Sequence, residues 1–371
     1  MRANRQPSLS IVVLASVPRT PVDTNGSILI AVSTNTIRIG SRGSQLALWQ
    51  ANHVAAQLRN NGHAVEIEVI RTVGDRMQDP AFVAPATFPD GTALDAKGIF
   101  IKEIEDALAA GRIDLAVHSL KDLPTTLDAR FTLAAIPPRA DARDAFICEA
   151  HWGLHMLPTG SRIGTTSPRR QAMLLALRPD LEFVEMRGNI DTRLRKWSEG
   201  QADALVLASA GLDRLGRTES VHQRFSVDEL TPAPGQGALA LETRNPQAFL
   251  SVIPEGNPLL DGTGTDRDAF IFNSIHTLNC AEAEFSTQAE RFVLAALGGG
   301  CQLPLGAFCH AVDNHWHLHA MVVAPDGESI AHVVHRAPIG TPACELGQAV
   351  ASELIARGAL DLLRSEIAEV L

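Results

Sequence analysis

The sequence contains no tyrosine, and aromatic residues make up only 5% of its 371 residues. Lysine is also scarce, because only four of the 32 basic residues are lysines, and the formal net charge is −10. Proteins that bind nucleic acid present a basic surface, and those that bind single strands add aromatic side chains on which bases stack. We therefore expect no nucleic-acid partner.

No apolar run approaches the roughly 20 residues that a membrane-spanning helix needs, so the sequence predicts no membrane partner. The five cysteines are irregularly spaced, and they form neither a CxxC pair nor a Cys/His ligand pattern. This spacing predicts no metal site. Cysteines of this kind are typical of free, buried thiols in a reducing compartment, which favours the cytoplasm.

The chain has the length of two or three domains at about 100–200 residues each. Arg38–Ser41 and Arg162–Thr165 each end a predicted strand and lead into a predicted helix. Two apolar strands, near 113–118 and 204–208, each lie beside an aspartate and lead into a serine. These repeated patterns predict two α/β halves of similar structure, with ligand-binding groups at the carboxyl ends of strands.

Arginine is concentrated in residues 162–195, which contain seven of the 28 arginines. Guanidinium groups bind carboxylates and phosphates in a bidentate way, so this window predicts an anion site, with a solvated helix face as the alternative. Ser167 and Pro168 suit the N-cap and the first position of a helix, which would place Arg169 and Arg170 in its first turn. Positive charge there opposes the helix dipole, and an anion site would explain it.

Lys121 and Asp122 follow directly after a predicted buried strand. A carboxylate beside a lysine at the mouth of a cleft suits proton transfer or the stabilisation of a developing cation. The alternative is an ordinary ion pair at the surface end of a strand. The pair by itself leaves both interpretations open.

Cys301 directly follows three glycines, Gly298 to Gly300. Glycines allow a close approach of the backbone and unusual backbone angles, so a bulky group could be attached to this thiol. The alternative is an inert buried cysteine, the more common fate of a thiol.

Taken together and in order, eight motifs resemble those of the porphobilinogen deaminases (hydroxymethylbilane synthases) over residues 37–371. The motifs are Ile39–Ala47, Lys97–Glu103, His118–Thr125, Gly164–Arg170, Arg187–Asn189, Thr192–Leu194, Pro234–Ala238 and Gly299–Gly306. The resemblance implies an α/β fold of three domains. The first two would be like type II periplasmic binding proteins with a cleft between them, and the third a small α+β domain that carries the cofactor cysteine.

The resemblance also implies the reaction. Four porphobilinogen molecules would lose ammonia and be joined head to tail on a covalent dipyrromethane, and water would then release hydroxymethylbilane. Cys301 would hold this cofactor, one per chain, through a thioether, and Asp122 would be the catalytic aspartate. The chain would act as a cytoplasmic monomer and pass its product to the next enzyme of tetrapyrrole biosynthesis.

The acetate and propionate groups of the pyrroles would be bound by basic and hydroxyl side chains that match the family's motifs. Besides Cys301 and Asp122, the implied cofactor-binding residues are Arg42, Ser44, Ser119, Lys121, Thr165, Thr166, Ser167, Arg169, Arg170, Arg187, Gly188 and Arg193. The implied substrate-binding residues are Arg42, Gln50, Lys97, Lys102, Arg169, Arg187 and Arg193. The loop at 74–96 would cover the cleft.

We expect the chain to divide as follows: 1–36 a disordered extension, 37–138 with 234–253 domain 1, 139–233 domain 2, 254–280 a linker or insertion, and 281–371 domain 3. The stretch between Arg244 and Gly299 is longer than the family leads us to expect, which predicts an insertion where domain 3 begins. Gly298 stands where an acidic residue is usual, which would loosen the cofactor loop, and Pro168 stands where leucine is common.

Two other functions are compatible with parts of the sequence: a non-catalytic anion-binding module and the effector domain of a transcription factor. A solute-binding module would need neither the cysteine in its glycine loop nor the Lys121–Asp122 pair. A transcription factor would need a helix-turn-helix at one end, which residues 1–36 do not supply.

Overall fold

A computed structural model describes residues 36–76, 98–149, 153–247, 263–299 and 303–368. Its strands are β1 (Ile37–Ser41), β2 (Val65–Val69), β3 (Leu115–Ser119), β4 (Phe131–Ala135), β5 (Asp144–Ile147), β6 (Arg162–Gly164), β7 (Glu182–Val184), β8 (Ala204–Ala208), β9 (Gln223–Arg224), β10 (Leu239–Arg244), β11 (Leu305–Val312), β12 (His315–Val323) and β13 (Ile330–Pro338). Its helices are α1 (Gln45–Asn60), α2 (Val73–Arg76), α3 (Gly98–Ala109), α4 (Pro168–Leu177), α5 (Ile190–Ser198), α6 (Ser209–Arg214), α7 (Thr263–His276), α8 (Ala281–Ala296), α9 (Ala343–Ala356) and α10 (Ala359–Ala368). Apart from Thr36, the extension expected at 1–36 lies outside the described residues, as does most of the 74–96 loop.

The first sheet has the strand order β2-β1-β3-β10-β4, in which β10 runs antiparallel to both of its neighbours. The parallel strands β1 and β3 pack against α1, with Ile37, Val54 and Leu115 fully buried between them. Helix α7 adds Ile271 and Ile275 to the same core. Part of the segment expected to be a linker therefore forms a helix of the first sheet's hydrophobic layer.

The second sheet repeats this build with the strand order β7-β6-β8-β5-β9, in which β5 is the antiparallel strand. In each sheet the antiparallel strand comes after the chain has crossed over from the other sheet. Phe146 of β5, Ile163 of β6 and Val206 of β8 form the centre of its core. The predicted pair of similar α/β halves is confirmed.

The third sheet is an antiparallel meander, β11-β12-β13, covered on one face by α8 and α9. Glu290 of α8 is fully buried. It connects the third sheet to the two segments of chain that run between the first and second sheets, β4–β5 and β9–β10. It accepts hydrogen bonds from the backbone N–H groups of Gly235 at 2.7 Å and Cys309 at 2.8 Å, and it pairs with Arg139 at 2.6 Å. The predicted three-domain α/β class, with a small α+β third domain, is confirmed.

Among the described residues, the helices are all too short or too polar to cross a membrane.

The cysteines that the structure describes, Cys148, Cys280, Cys309 and Cys344, are free thiols. Burial raises the pKa of the Cys309 thiol, so this cysteine is a structural group rather than a reactive one.

Candidate active site

The first half contributes the turn between β1 and α1. Ser44 caps α1, because its side chain accepts a hydrogen bond from the backbone N–H of Ala47 at 3.3 Å. Arg42 in the same turn forms an ion pair with Asp75, with 2.6 Å between Nη2 and Oδ1. Asp75 is a partner that sequence reasoning missed, since it lies 33 residues further along the chain.

Strand β3 ends beside this turn and leads into a single helical turn, Leu120–Asp122. Gln50 of α1 donates a hydrogen bond to the Ser119 hydroxyl at 3.0 Å, which joins the helix to the end of the strand. One cavity is lined by five of the residues predicted for the site, namely Arg42, Ser44, Gln50, Ser119 and Asp122. Asp122 is exposed, and its carboxylate accepts no hydrogen bond from the residues that the structure describes, so it is available to a ligand.

The second half contributes the turn between β6 and α4. The helix begins at Pro168, and Ser167 is its N-cap, as predicted. Arg169 and Arg170 are buried, and both bind Asp144 of β5, with nitrogen–oxygen distances of 2.7 Å. The two arginines therefore have a structural reason to lie in the first turn of the helix, contrary to the argument from the dipole.

Asp144 is fully buried and holds the centre of the site together. Burial raises its pKa, but Arg169 and Arg170 outweigh that effect and hold the pKa well below its usual range. Gln236 donates a hydrogen bond to Asp144 at 2.9 Å, and Lys121 donates one to Gln236 at 3.3 Å. The cations of the two halves are thus connected through Gln236.

Sequence reasoning missed both Asp144 and Gln236 as site residues. Gln236 lies within one of the motifs that carry the resemblance, Pro234–Ala238, and this was the available signal. No signal identifies Asp144, because its partners are 25 and 26 residues away and meet it only when β5 enters the second sheet.

The electrostatics of the site are dominated by positive charge. Burial and the charge of Arg170 lower the pKa of Lys121 to about 8, against the opposing effect of Asp122. Burial and Arg170 also lower the pKa of Arg193 to about 10, again against Asp122. Four cations (Lys121, Arg169, Arg170 and Arg193) therefore face two carboxylates (Asp122 and Asp144), and the excess favours an anionic ligand.

The turn before α5 positions Arg193, whose Nε donates to the carbonyl oxygen of Gly188 at 2.8 Å. Gly188 has a φ of +117°, a conformation that favours glycine, and a Cβ there would lie 2.7 Å from the Thr192 side chain. The side chain of Arg187 is 80% exposed and pairs with Glu185, so the structure does not bring it to the cavity.

The remaining predicted residues fall into three groups. Thr165 is buried, and its hydroxyl accepts a hydrogen bond from the backbone N–H of Ser167 at 3.2 Å, while Thr166 is half-buried beside it. Lys102 is half-buried on α3, the helix that contributes two isoleucines to the cavity wall. Lys97 and Cys301 lie outside the described residues.

The described residues on either side of Cys301 lie near the site. A Cβ on Gly299 would be 3.2 Å from the Thr125 hydroxyl, three residues after Asp122. On the other side, Gly306 packs directly against the backbone of Thr231, whose carbonyl oxygen binds Arg169 at 2.7 Å. Gly299 before Cys301 therefore contacts the first half of the molecule, and Gly306 after it contacts a residue that binds Arg169 of the second half.

Gly298, the expected departure from the family pattern, has a φ of +109°, and Gly299 follows with +73°. Both values favour glycine, so a glycine at 298 suits the backbone that leads into the cysteine segment.

Two family models match the chain. One is described as "Porphobilinogen deaminase, dipyromethane cofactor binding domain" and matches residues 37–251, and the other as "Porphobilinogen deaminase, C-terminal domain" and matches residues 285–356. Similar curated proteins include the porphobilinogen deaminase of Rubrobacter xylanophilus, which is 42% identical over 88% of this chain and 95% of its own length. That of Paraburkholderia phymatum is 39% identical over 92% of this chain and 96% of its own.

Among solved structures, similarity is found to a nutrient-binding protein from Burkholderia cenocepacia bound to methionine. The matched region covers 64% of this chain and 93% of that protein, with 13% sequence identity and a TM-score of 0.36.

Proposed function

The chain belongs to the porphobilinogen deaminase family, and on this premise we propose how its own residues perform the reaction. It is a hydroxymethylbilane synthase with a dipyrromethane cofactor: four porphobilinogen molecules each lose ammonia and are joined head to tail, and water releases the linear product. We place this chemistry at the cavity beside Asp122, because that cavity gathers the predicted residues of the first half and faces the arginines of the second.

The residues present fit a dipyrromethane cofactor. Each pyrrole carries two carboxylates, and the site has more cations than anions among its described residues. Cys301 would hold the cofactor through a thioether, since the described residues on both sides of it lie next to the site. When bound, the cofactor supplies the unsubstituted pyrrole carbon to which the first substrate unit is joined.

Asp122 is the residue that we propose as catalytic. Positive charge develops on the pyrrole ring of porphobilinogen as ammonia leaves, and a carboxylate beside the ring stabilises it. Asp122 suits this role because its carboxylate faces the cavity and is not engaged by the residues that the structure describes. Asp144, in contrast, is buried and occupied by two arginines, so it serves the structure of the site.

Lys121, Arg42 and Arg193 bind and orient the acetate and propionate groups in this proposal. Arg169 and Arg170 contribute mainly through the positive electrostatic potential that they create at the site, because Asp144 neutralises only one of their two charges. Holding the carboxylates in place positions the reacting carbon atoms, which is a large part of what a site can contribute to joining two molecules.

Asp122→Asn in the full chain tests the proposal. The amide keeps the shape of the side chain but removes its charge, so we expect kcat to fall by about 10²–10³-fold. The measurement is the rate of ammonia release from porphobilinogen. Asp128→Asn is the matched control, because Asp128 lies six residues further on, is exposed and pairs only with Arg130 among the described residues.

Intact mass identifies the state of each variant before its rate is measured. The wild type and Asp122→Asn should both carry the mass of two linked pyrrole units, and Cys301→Ala should lack it. A full rate in Asp122→Asn would disprove the role of Asp122. A bare wild-type mass that stays bare after incubation with porphobilinogen would favour a non-catalytic anion-binding module instead.

We further propose that the chain acts as a monomer in the cytoplasm and passes its product to the next enzyme of tetrapyrrole biosynthesis. The free thiols of the described cysteines support a reducing compartment.

A further inference from the structure

The face of the third sheet that is turned away from α8 and α9 carries a cluster of histidines. Successive side chains of a strand point to opposite faces, and the histidines occupy alternate positions on this face. Its members are His310 on β11, His317 and His319 on β12, and His332 on β13. His310 lies directly opposite His317 in the pairing of β11 with β12, and the rings of His310 and His319 are 5.5 Å apart.

Asp228 reaches this cluster from the segment that returns from the second sheet to the first. Its Oδ1 lies 3.1 Å from Nδ1 of His319. One ligand atom each from Asp228, His319 and His332 lies within 4.8 Å of the other two. Three groups that commonly bind metals are therefore gathered at one place, and none of them is among the residues assigned to the site that contains Asp122.

A second observation concerns the ring nitrogens. Nε2 of His332 is buried and has no hydrogen-bond partner among the described residues, and the same holds for Nδ1 of His310 and Nε2 of His317. A buried polar atom without a partner is costly, and a bound ion is one of the recognised explanations for it. Of these three histidines, His332 is the one that belongs to the three-residue group.

The two histidines of the group are in the form that a metal needs. Burial is the main cause that lowers the pKa of His319, and the nearby His332 lowers it further, against the opposing effect of Asp228. Burial also lowers the pKa of His332, again against Asp228. Both rings are therefore neutral near pH 7, and a neutral imidazole offers a lone pair to a metal.

We propose that Asp228, His319 and His332 bind one divalent transition-metal ion of the zinc class. Two imidazole nitrogens and one carboxylate oxygen form a common zinc ligand set, with a fourth position left for water. Bonds of about 2.0–2.2 Å place the donor atoms of a tetrahedral site about 3.3 Å apart, so the present group, whose atoms lie within 4.8 Å of one another, must close by at most about 1.5 Å. The side chain of Asp228 is 71% exposed, which leaves it room to adjust its position.

The ion would join the returning segment to the third sheet. Asp228 lies between β9 and β10, and both histidines lie on the meander, so the bound metal would stabilise their contact. The sequence shows no metal-ligand pattern because the ligands are widely separated: His319 is 91 residues from Asp228, and His332 lies on the next strand opposite Met321, two residues along β12 from His319.

Zinc titration of the tag-free, chelator-treated full chain by calorimetry tests the proposal. We expect one ion per chain and a rise in Tm when zinc is added. His332→Asn and Asp228→Asn should each weaken binding by at least about tenfold, because each removes one of three ligands. His315→Asn is the matched control, since His315 lies on the same strand but bonds its neighbour, the Asp313 carbonyl oxygen, at 2.9 Å.

Cobalt provides a second readout that does not depend on stability. Co²⁺ bound by nitrogen and oxygen ligands in a tetrahedral site absorbs strongly in the visible range, and this absorption should be lost in His332→Asn and kept in His315→Asn. Equal binding by the wild type and by an Asp228→Asn, His332→Asn double variant would overturn the proposal. Absence of zinc binding to the wild type would overturn it as well.

Discussion

In the first half of the molecule, Arg38 near the start of β1 binds Asp114, which lies just before the neighbouring strand β3. The backbone N–H and Nε of Arg38 each lie 3.0 Å from Asp114 Oδ2, and Nη2 lies 2.9 Å from Oδ1. In the second half Arg162 binds Asp203 in the same way, with the backbone contact at 2.7 Å and Nη2–Oδ1 at 3.1 Å. The same kind of Arg–Asp ion pair therefore connects the corresponding two strands in both sheets.

The Arg38–Asp114 and Arg162–Asp203 ion pairs differ in their burial. The side chain of Asp114 is fully buried, and Arg244 and Arg267 bind it as well. The side chain of Asp203 is 45% exposed, and Arg162 is its ion-pair partner among the described residues. The comparison shows that a repeated local pattern specifies a geometry, whereas burial decides how much the interaction contributes to stability.

The two halves also differ in the cations that they present to the site. The first half presents Lys121, whose pKa is lowered to about 8. The second half presents Arg169 and Arg170, fastened to Asp144. One half therefore has a charge that can titrate, and the other has charges that remain at all working pH values.

Asp114→Asn should have the largest effect on stability. The amide keeps the shape but leaves Arg38, Arg244 and Arg267 facing a neutral group in a buried place, so we expect the free energy of unfolding to fall by about 3–5 kcal/mol. Urea denaturation followed by circular dichroism measures it. A decrease in the free energy of unfolding below about 1 kcal/mol would show that the burial of the Arg38–Asp114 ion pair does not increase its contribution to stability.

Raising the pH should weaken substrate binding through Lys121. With a pKa of about 8, this lysine is charged below that pH and neutral above it, so kcat/KM for porphobilinogen should fall above pH 8, by at most about tenfold per pH unit. Lys121→Arg should remove this fall, because guanidinium stays charged. The same decline in both proteins would assign the titration to another group.

Asp203→Asn should have the smallest effect. The substitution matches Asp114→Asn, but the pair is exposed on both sides, with side-chain exposures of 42% for Arg162 and 45% for Asp203. We expect a change of at most about 1 kcal/mol in the same urea experiment. If both variants lose equal stability, the difference between the two halves lies outside these ion pairs.

Most of the secondary structure could be predicted from local signals. Ser167 and Pro168 begin α4 where the sequence places them, and Ser44 and Asn189 cap α1 and α5 through hydrogen bonds of the same local kind. Helix α7 was missed because glycine, proline and aspartate are frequent just before it. Its apolar residues are recognised as a helix face only once they pack on the first sheet.

The candidate site was predicted in composition but only partly in arrangement. Asp122 lines the cavity together with four other predicted residues, as their motifs lead us to expect. Arg187 points to solvent beside Glu185, and the partner of Arg169 and Arg170 was not anticipated. Residue types follow from a motif, whereas the direction of a long side chain depends on which carboxylate lies near it.

By itself the sequence determined the repeated strand–turn–helix units, the caps of their helices and the family to which the motifs belong. These features depend on residues within a few positions of one another, so a linear pattern contains them. Only the tertiary structure decided that Asp144 neutralises two arginines, that Gln236 connects the two halves and that Asp228 meets two histidines. Each of these contacts joins residues far apart in the chain, and the register and crossing of the strands bring them together.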